Sequence, residues 1–198
     1  MCPEPIGIQL PRVNVLWSGE RMSDMWLPAV QDPRDYSATR GERDTVLSYL
    51  RNYRLAFELK CQGLDADQLA RRSVPPSTMS LLGLLRHLAR VEHSWFRRVL
   101  QDQPHLPKLY LTDEDPDLDF NGAVADPAVA DEAWTAWRRE VKDADAWLGK
   151  GTPFDATVSC DGEDIEVRDV LVHLVEEYAR HVGHADLLRE CIDGRTGQ

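Results

Sequence analysis

Cysteine is scarce: Cys2, Cys61, Cys160 and Cys191 are scattered through 198 residues with no CxxC pair. That spacing excludes a zinc knuckle and a disulfide framework, and it suits a reducing compartment. No apolar run approaches the ~20 residues of a membrane span. The first residues lack the basic and apolar regions of a signal peptide, so a cytoplasmic protein with no membrane partner is expected. Positive charge is also in deficit, with 23 Lys and Arg against 34 Asp and Glu and a net charge of −11. Nucleic acid, which is gripped by clustered Lys and Arg, is not an expected partner. A P-loop, a dinucleotide fingerprint and a nucleophile elbow are all missing, as are internal repeats. What remains is ordinary globular composition, 42% hydrophobic and 29% charged, in a chain long enough for one domain with a sizeable core.

Histidine is where the chain concentrates its chemistry. The stretch 166–192, EVRDVLVHLVEEYARHVGHADLLRECI, reads as one long helix and holds three of the six histidines. At about 100° per residue, with His173 at zero, Glu177 falls at about 40°, His181 at about 80° and His184 at about 20°. Val170, Leu174, Tyr178, Ala185 and Leu188 lie at about 60–140°. The polar stripe therefore overlaps the face expected to be buried. Residues four apart stack on one another, so Glu177 and His181 can reach one ion, as can His173 with Glu177. His173 and His184 are ~16 Å apart along the axis and cannot share one. Glu177 and His181 are the best-placed pair, with a third ligand expected from another helix.

The remaining segments supply that helix. Residues 1–40, with five prolines and no sustained period, read as an extended arm pinned by Trp17 and Trp26. Val46, Leu47, Leu50, Tyr53, Phe57 and Cys61 mark a first helix over 42–62, closed by Gly63. LDADQLARRSVPPS is a connector, after which Ser77 or Ser80 caps a second helix to about residue 101. There Leu84, His87, Leu88, Val91 and Trp95 form one apolar stripe, which aims His87 at the core. An imidazole among leucines needs a partner, either a hydrogen bond or a metal held by a facing helix. His93 lies off that stripe and is expected to be exposed, as is His105 in its proline-flanked loop. The acidic stretch 102–126 does not match the EF-hand spacing and reads as a solvated loop. A third helix spans 127–148, with Val129, Ala133, Trp137, Val141, Ala144 and Leu148 inward. ATVSCDGEDIEV then alternates around Asp161-Gly162, a hairpin signal. The fold class is all-α: a four-helix bundle over 41–198 with an irregular arm before it and a short β-hairpin before the last helix.

The runs SVPPSTMSLLGLLRHLARVEHSWF and VRDVLVHLVEEYARHVGHADLLRE together resemble the DinB-like superfamily over residues 40–195. The likeness is to its uncharacterised branch in mycothiol-using bacteria, related to mycothiol-dependent maleylpyruvate isomerase. The resemblance implies a bundle with a divalent metal at one end, held by His87, Glu177 and His181. Glu177 stands where many DinB proteins have histidine. His184 stands where many have glutamine, which leaves it open as a partner of a ligand, a pocket base or an extra ligand. His173 matches a non-ligating position. Two imidazoles and one carboxylate suit zinc first, then nickel, manganese or iron. Three protein ligands leave positions open for water or substrate. The function implied is a metal-dependent transferase or isomerase of a small-molecule substrate, with mycothiol as cosubstrate, and a homodimer is expected. The alternative is a non-catalytic, metal-containing stress or small-molecule-binding bundle. A di-iron carboxylate centre is disfavoured because the chain has no Glu-x-x-His motif.

Overall fold

The computed structural model describes residues 31–197. Six helices and one hairpin follow in the order α1 (Glu42–Cys61), α2 (Ala66–Ala70), α3 (Leu81–Glu92), α4 (Leu118–Asn121), α5 (Pro127–Leu148), β1 (Thr157–Cys160), β2 (Glu163–Glu166) and α6 (Val167–Asp193). The α3 helix continues as a π-helical stretch over His93–Leu100. The result is an all-α bundle with a hairpin before the last helix, as the sequence pattern implied. The arm expected over 1–40 falls mostly outside the described residues, as do Trp17 and Trp26. Residues 32–40 carry no helix or strand and are tied to α1 by Asn52. Its amide donates to the Asp35 carbonyl at 2.6 Å and accepts from the Asp35 N–H at 3.0 Å.

Local chemistry sets the element ends. Of the two candidate caps, Ser80 is the one used: its hydroxyl accepts the Gly83 N–H at 3.1 Å, satisfying an orphan donor of α3. Asp126 does the same for α5, with Pro127 at the first helical position. The connector holds an unforeseen short helix, α2, started by a reciprocal Asp65–Gln68 capping box. The hairpin turns at Asp161 and Gly162, both with positive φ of 51° and 88°. Cys160 thereby comes opposite Glu163 in an antiparallel ladder, as a two-residue primed turn requires.

The long helices enclose one core. α1 packs along α6, and α3 packs against both α5 and α6. The leucines of α3, Phe57, Phe96, Leu171 and Leu174 are fully buried in it. Of the α5 residues expected inward, Ala133, Trp137, Ala144 and Leu148 are buried, while Val129 and Val141 are only half-buried. α6 returns a polar clamp to α1: the Arg189 guanidinium donates to the carbonyls of Lys60 and Gln62, both at 2.9 Å. Those carbonyls lie at the α1 C-terminus, where the helix ladder itself offers no donors.

A polar network runs through the middle of this core. The Arg54 guanidinium of α1 makes a two-pronged contact with the Glu92 carboxylate of α3, both bonds 2.7 Å. The Tyr178 hydroxyl of α6 donates to Glu92 at 2.7 Å and accepts the Trp137 indole N–H of α5 at 2.9 Å. Glu92 and Tyr178 are 0% exposed. Arg54 also reaches Asp145 of α5 at 2.8 Å. All four long helices thus contribute to one hydrogen-bonded chain.

His93 corrects the sequence reading. It is buried, 6% exposed, and not on the outer surface. The helix widens to π geometry at His93, so a count of 100° per residue no longer places the side chains that follow. His93 Nδ1 lies 3.3 Å from Glu140 Oε2 of α5, and Nε2 lies 3.0 Å from the Pro107 carbonyl. Arg97 and Arg139 also donate to Glu140, each at 2.6 Å. Burial opposes the Glu140 charge, but the hydrogen bonds from His93, Arg139 and Arg97 outweigh it and bring its carboxyl down to about 2.

Two outcomes follow from these buried groups. Glu92→Ala leaves the buried Arg54 with only the partly exposed Asp145 as a partner and should cost about 3–5 kcal/mol in urea denaturation. Tyr178→Phe, which removes one hydroxyl, should cost about 1–2 kcal/mol. The depressed Glu140 carboxyl contributes stability that is complete above its ordinary value of 4.5 and is lost as pH falls toward about 2. Urea midpoints for Glu140→Gln should therefore vary less steeply with pH across that window than those of the natural protein.

Candidate metal centre

The α3 and α6 faces that meet across the core carry the predicted residues. His87 stands on α3, Glu177 and His181 on α6, and one ligand atom from each lies within 4.8 Å of the others. Two of these atoms converge on a single carboxylate oxygen. Glu177 Oε2 is 3.3 Å from His181 Nε2 and 3.6 Å from His87 Nε2. The imidazole rings stand edge-on with centroids 4.8 Å apart. Side-chain exposure is 20% for His87, 24% for Glu177 and 11% for His181, so the cluster is half-buried and not sealed from solvent.

The other two histidines of α6 flank this group. His173 Nε2 lies 3.6 Å from the second Glu177 oxygen, and its ring packs edge-on against Trp95 at 5.0 Å. His184 Nδ1 lies 3.3 Å from His181 Nδ1. His184 therefore stands behind His181, on the ring edge turned away from Glu177. His105 is exposed in its loop, as expected. Charge is distributed to match. Hydrogen bonds from His181 and His87 hold the Glu177 carboxyl well below the usual carboxylate range. Burial alone would depress His87, yet its hydrogen bonds to Asp119 and Glu177 raise it. Burial, with His181 and Arg180 nearby, lowers His184.

Asp119 is the residue that sequence reasoning missed. The acidic stretch 102–126 was read as solvated, and Asp113, Glu114 and Asp117 are exposed. Within it, however, Leu118–Asn121 folds as α4 and seats itself on α3, burying Asp119 to 1% exposure. Asp119 Oδ2 lies 2.9 Å from His87 Nδ1 and accepts Arg90 Nη1 at 3.0 Å. Arg86 donates to the carbonyls of Asp119 and Leu118, both at 3.0 Å, and so holds the α4 backbone. Phe120 stacks on the His87 ring at 5.4 Å. Gly83 makes this approach possible: a Cβ there would meet Phe120 Cδ1 at 2.8 Å. The signal for the segment was the apolar pair Leu118 and Phe120 bracketing one aspartate, hidden among five solvated acids.

The donor set fits a divalent ion. Two imidazoles and a carboxylate within one ion's reach and only half-buried match a site with three protein ligands. Comparison with known families then decides the relationship. The sequence model of the mycothiol-S-transferase family matches residues 45–194. The chain belongs to that family. The match agrees with the resemblance to the DinB-like superfamily and its mycothiol-using branch, and it spans every residue of the cluster. Neither the curated proteins nor the solved structures contain a match to the chain.

Because α4 rests on bare backbone at Gly83, Gly83→Ala should push Phe120 and its neighbour Asp119 outward. Overpacking costs about 1–3 kcal/mol, partly offset by the better helix propensity of alanine, about 1 kcal/mol. A net loss of about 1 kcal/mol in thermal denaturation is expected, with perturbed His87 ring resonances. An unchanged His87 environment would show that the contact gives way within the Phe120 side chain.

Proposed function

We propose that the chain is a divalent-metal-dependent S-transferase that uses mycothiol as its thiol cosubstrate, with His87, Glu177 and His181 as ligands and zinc as the ion. The observation that carries this reading is the convergence of His87 Nε2, His181 Nε2 and Glu177 Oε2 in a chain of the mycothiol-S-transferase family. An ion held there would lower the pKa of a thiol placed in an open position and favour its thiolate.

The remaining work falls to side chains of the protein. The described cysteines cannot supply the nucleophile. Burial pushes the Cys61 thiol far up, Cys160 lies on the hairpin, and none of the three joins the cluster. With no described cysteine at the cluster, a small-molecule thiol is the thiolate source of this proposal. His184, lowered by burial and by His181 and Arg180, is the candidate base that takes the thiol proton, and it also braces His181. Trp95 and His173, packed edge-on beside Glu177, form one wall for the substrate.

The wider setting belongs to the same proposal. No helix among the described residues is long and apolar enough to cross a membrane, which supports a cytoplasmic enzyme. The net charge of −11 speaks against nucleic acid. Residues 41–198 form the working domain, with 1–40 as an arm, and two copies associate as a homodimer.

Metal analysis of protein purified without chelator or nickel resin tests the centre. About one zinc per chain is expected in the natural protein, with loss of most of it in Glu177→Gln and His181→Ala. The loaded protein should consume mycothiol in the presence of an electrophile, and these variants should lose at least about 100-fold of that rate. Equal metal content in all three proteins would refute the ligand assignment. Retained metal with no thiol consumption would refute the transferase and leave the non-catalytic bundle.

A further inference from the structure

We propose that Asp119 is a positioning residue, which accepts the His87 Nδ1–H and holds the ring with its Nε2 lone pair turned toward Glu177 and His181. The argument rests on the metal reading only for its consequence, since the hydrogen bond itself is a property of the chain. The Asp119 carboxylate is 1% exposed, and its other two neighbours both donate. Arg90 Nη1 reaches Oδ2 at 3.0 Å, and the Phe120 N–H reaches Oδ1 at 3.1 Å. With donors on every other side, the carboxylate is an acceptor, so the hydrogen in its 2.9 Å contact with His87 sits on Nδ1. A neutral imidazole carries one N–H; with that hydrogen held at Nδ1 by Asp119, Nε2 is the nitrogen that gives up its proton and turns a lone pair to a cation placed beside Glu177 Oε2.

The surroundings of Asp119 suit that task. Phe120 lies against the His87 ring and Arg86 clamps the α4 carbonyls, so the acceptor is delivered on a braced segment. A carboxylate placed behind a ligating histidine fixes its tautomer and ring angle and raises its basicity. Here the carboxylate comes from a four-residue helix outside the long helices. The centre would thus depend on a segment that contributes no ligand.

Asp119→Asn is the test, because it keeps the volume and removes the charge while presenting an N–H to the ring. Nitrogen-15 NMR of metal-free protein at mildly alkaline pH reads the tautomer directly. The natural protein should show His87 protonated at Nδ1, and Asp119→Asn should shift a large share of it to Nε2–H. Zinc affinity, measured by competition with a chromophoric chelator, should fall about 10–100-fold in Asp119→Asn. Arg90→Met, which removes a neighbour of Asp119 without touching the ring, should change affinity by no more than about 3-fold. A natural protein with Nε2–H at His87 would overturn the proposal, as would an Asp119→Asn variant with unchanged tautomer and unchanged affinity. If the natural protein binds no zinc, the transferase reading falls, while the tautomer measurement still decides the role of Asp119.

Discussion

The two-pronged contact between Arg54 and Glu92 is the interaction on which the bundle turns. A guanidinium and a carboxylate that leave water without good partners are costly, so the fold must bring every remaining donor and acceptor to them. It does so with Tyr178, Trp137 and Asp145, one or more groups from each of the other long helices. Apolar packing alone tolerates small rotations of a helix about its axis. A chain of bonds between 2.7 and 2.9 Å does not. The network therefore sets the angular phase of α1, α3, α5 and α6 together.

That phase is what the candidate centre needs. Glu92 lies five residues after His87 on α3, and Tyr178 follows Glu177 directly on α6. Fixing the inner pair fixes where the outer groups point, so His87 and Glu177 face each other across the helix seam. The centre is then finished from outside the long helices. α4 brings Asp119 and Phe120 to the far edge of His87, while His184 stands behind His181. Each imidazole of the cluster is thus held on the edge opposite Glu177, once by a carboxylate and once by another imidazole.

Much of this was legible in the residues. Periodicity located the long helices to within a residue or two, and helical angles singled out Glu177 and His181 as a pair; His87 read only as a core imidazole in need of a partner until the family resemblance joined it to them. What escaped notice did so for identifiable reasons. Asp119 sits in a stretch whose composition is that of solvated loops, and its burial depends on a close approach to Gly83 that no local pattern encodes. His93 was misplaced because what covers it, Glu140 of α5 and the Pro107 carbonyl, comes from segments that the α3 stripe does not display. Arg54 and Glu92 project onto the apolar sides of their own helices at about 100° per residue, but neither helix alone says what would satisfy its charge. Only their juxtaposition from separate helices pairs the two, and a single chain read in order does not display that meeting.

The pairing of α1 with α6 has a bearing on how the protein is made. The first long helix finds its principal partner in the last, and Arg189 of α6 caps the α1 carbonyls from more than a hundred residues away. During synthesis the apolar stripe of α1 leaves the ribosome without its principal partner until α6 has emerged. Such distant contacts slow folding and prolong exposure.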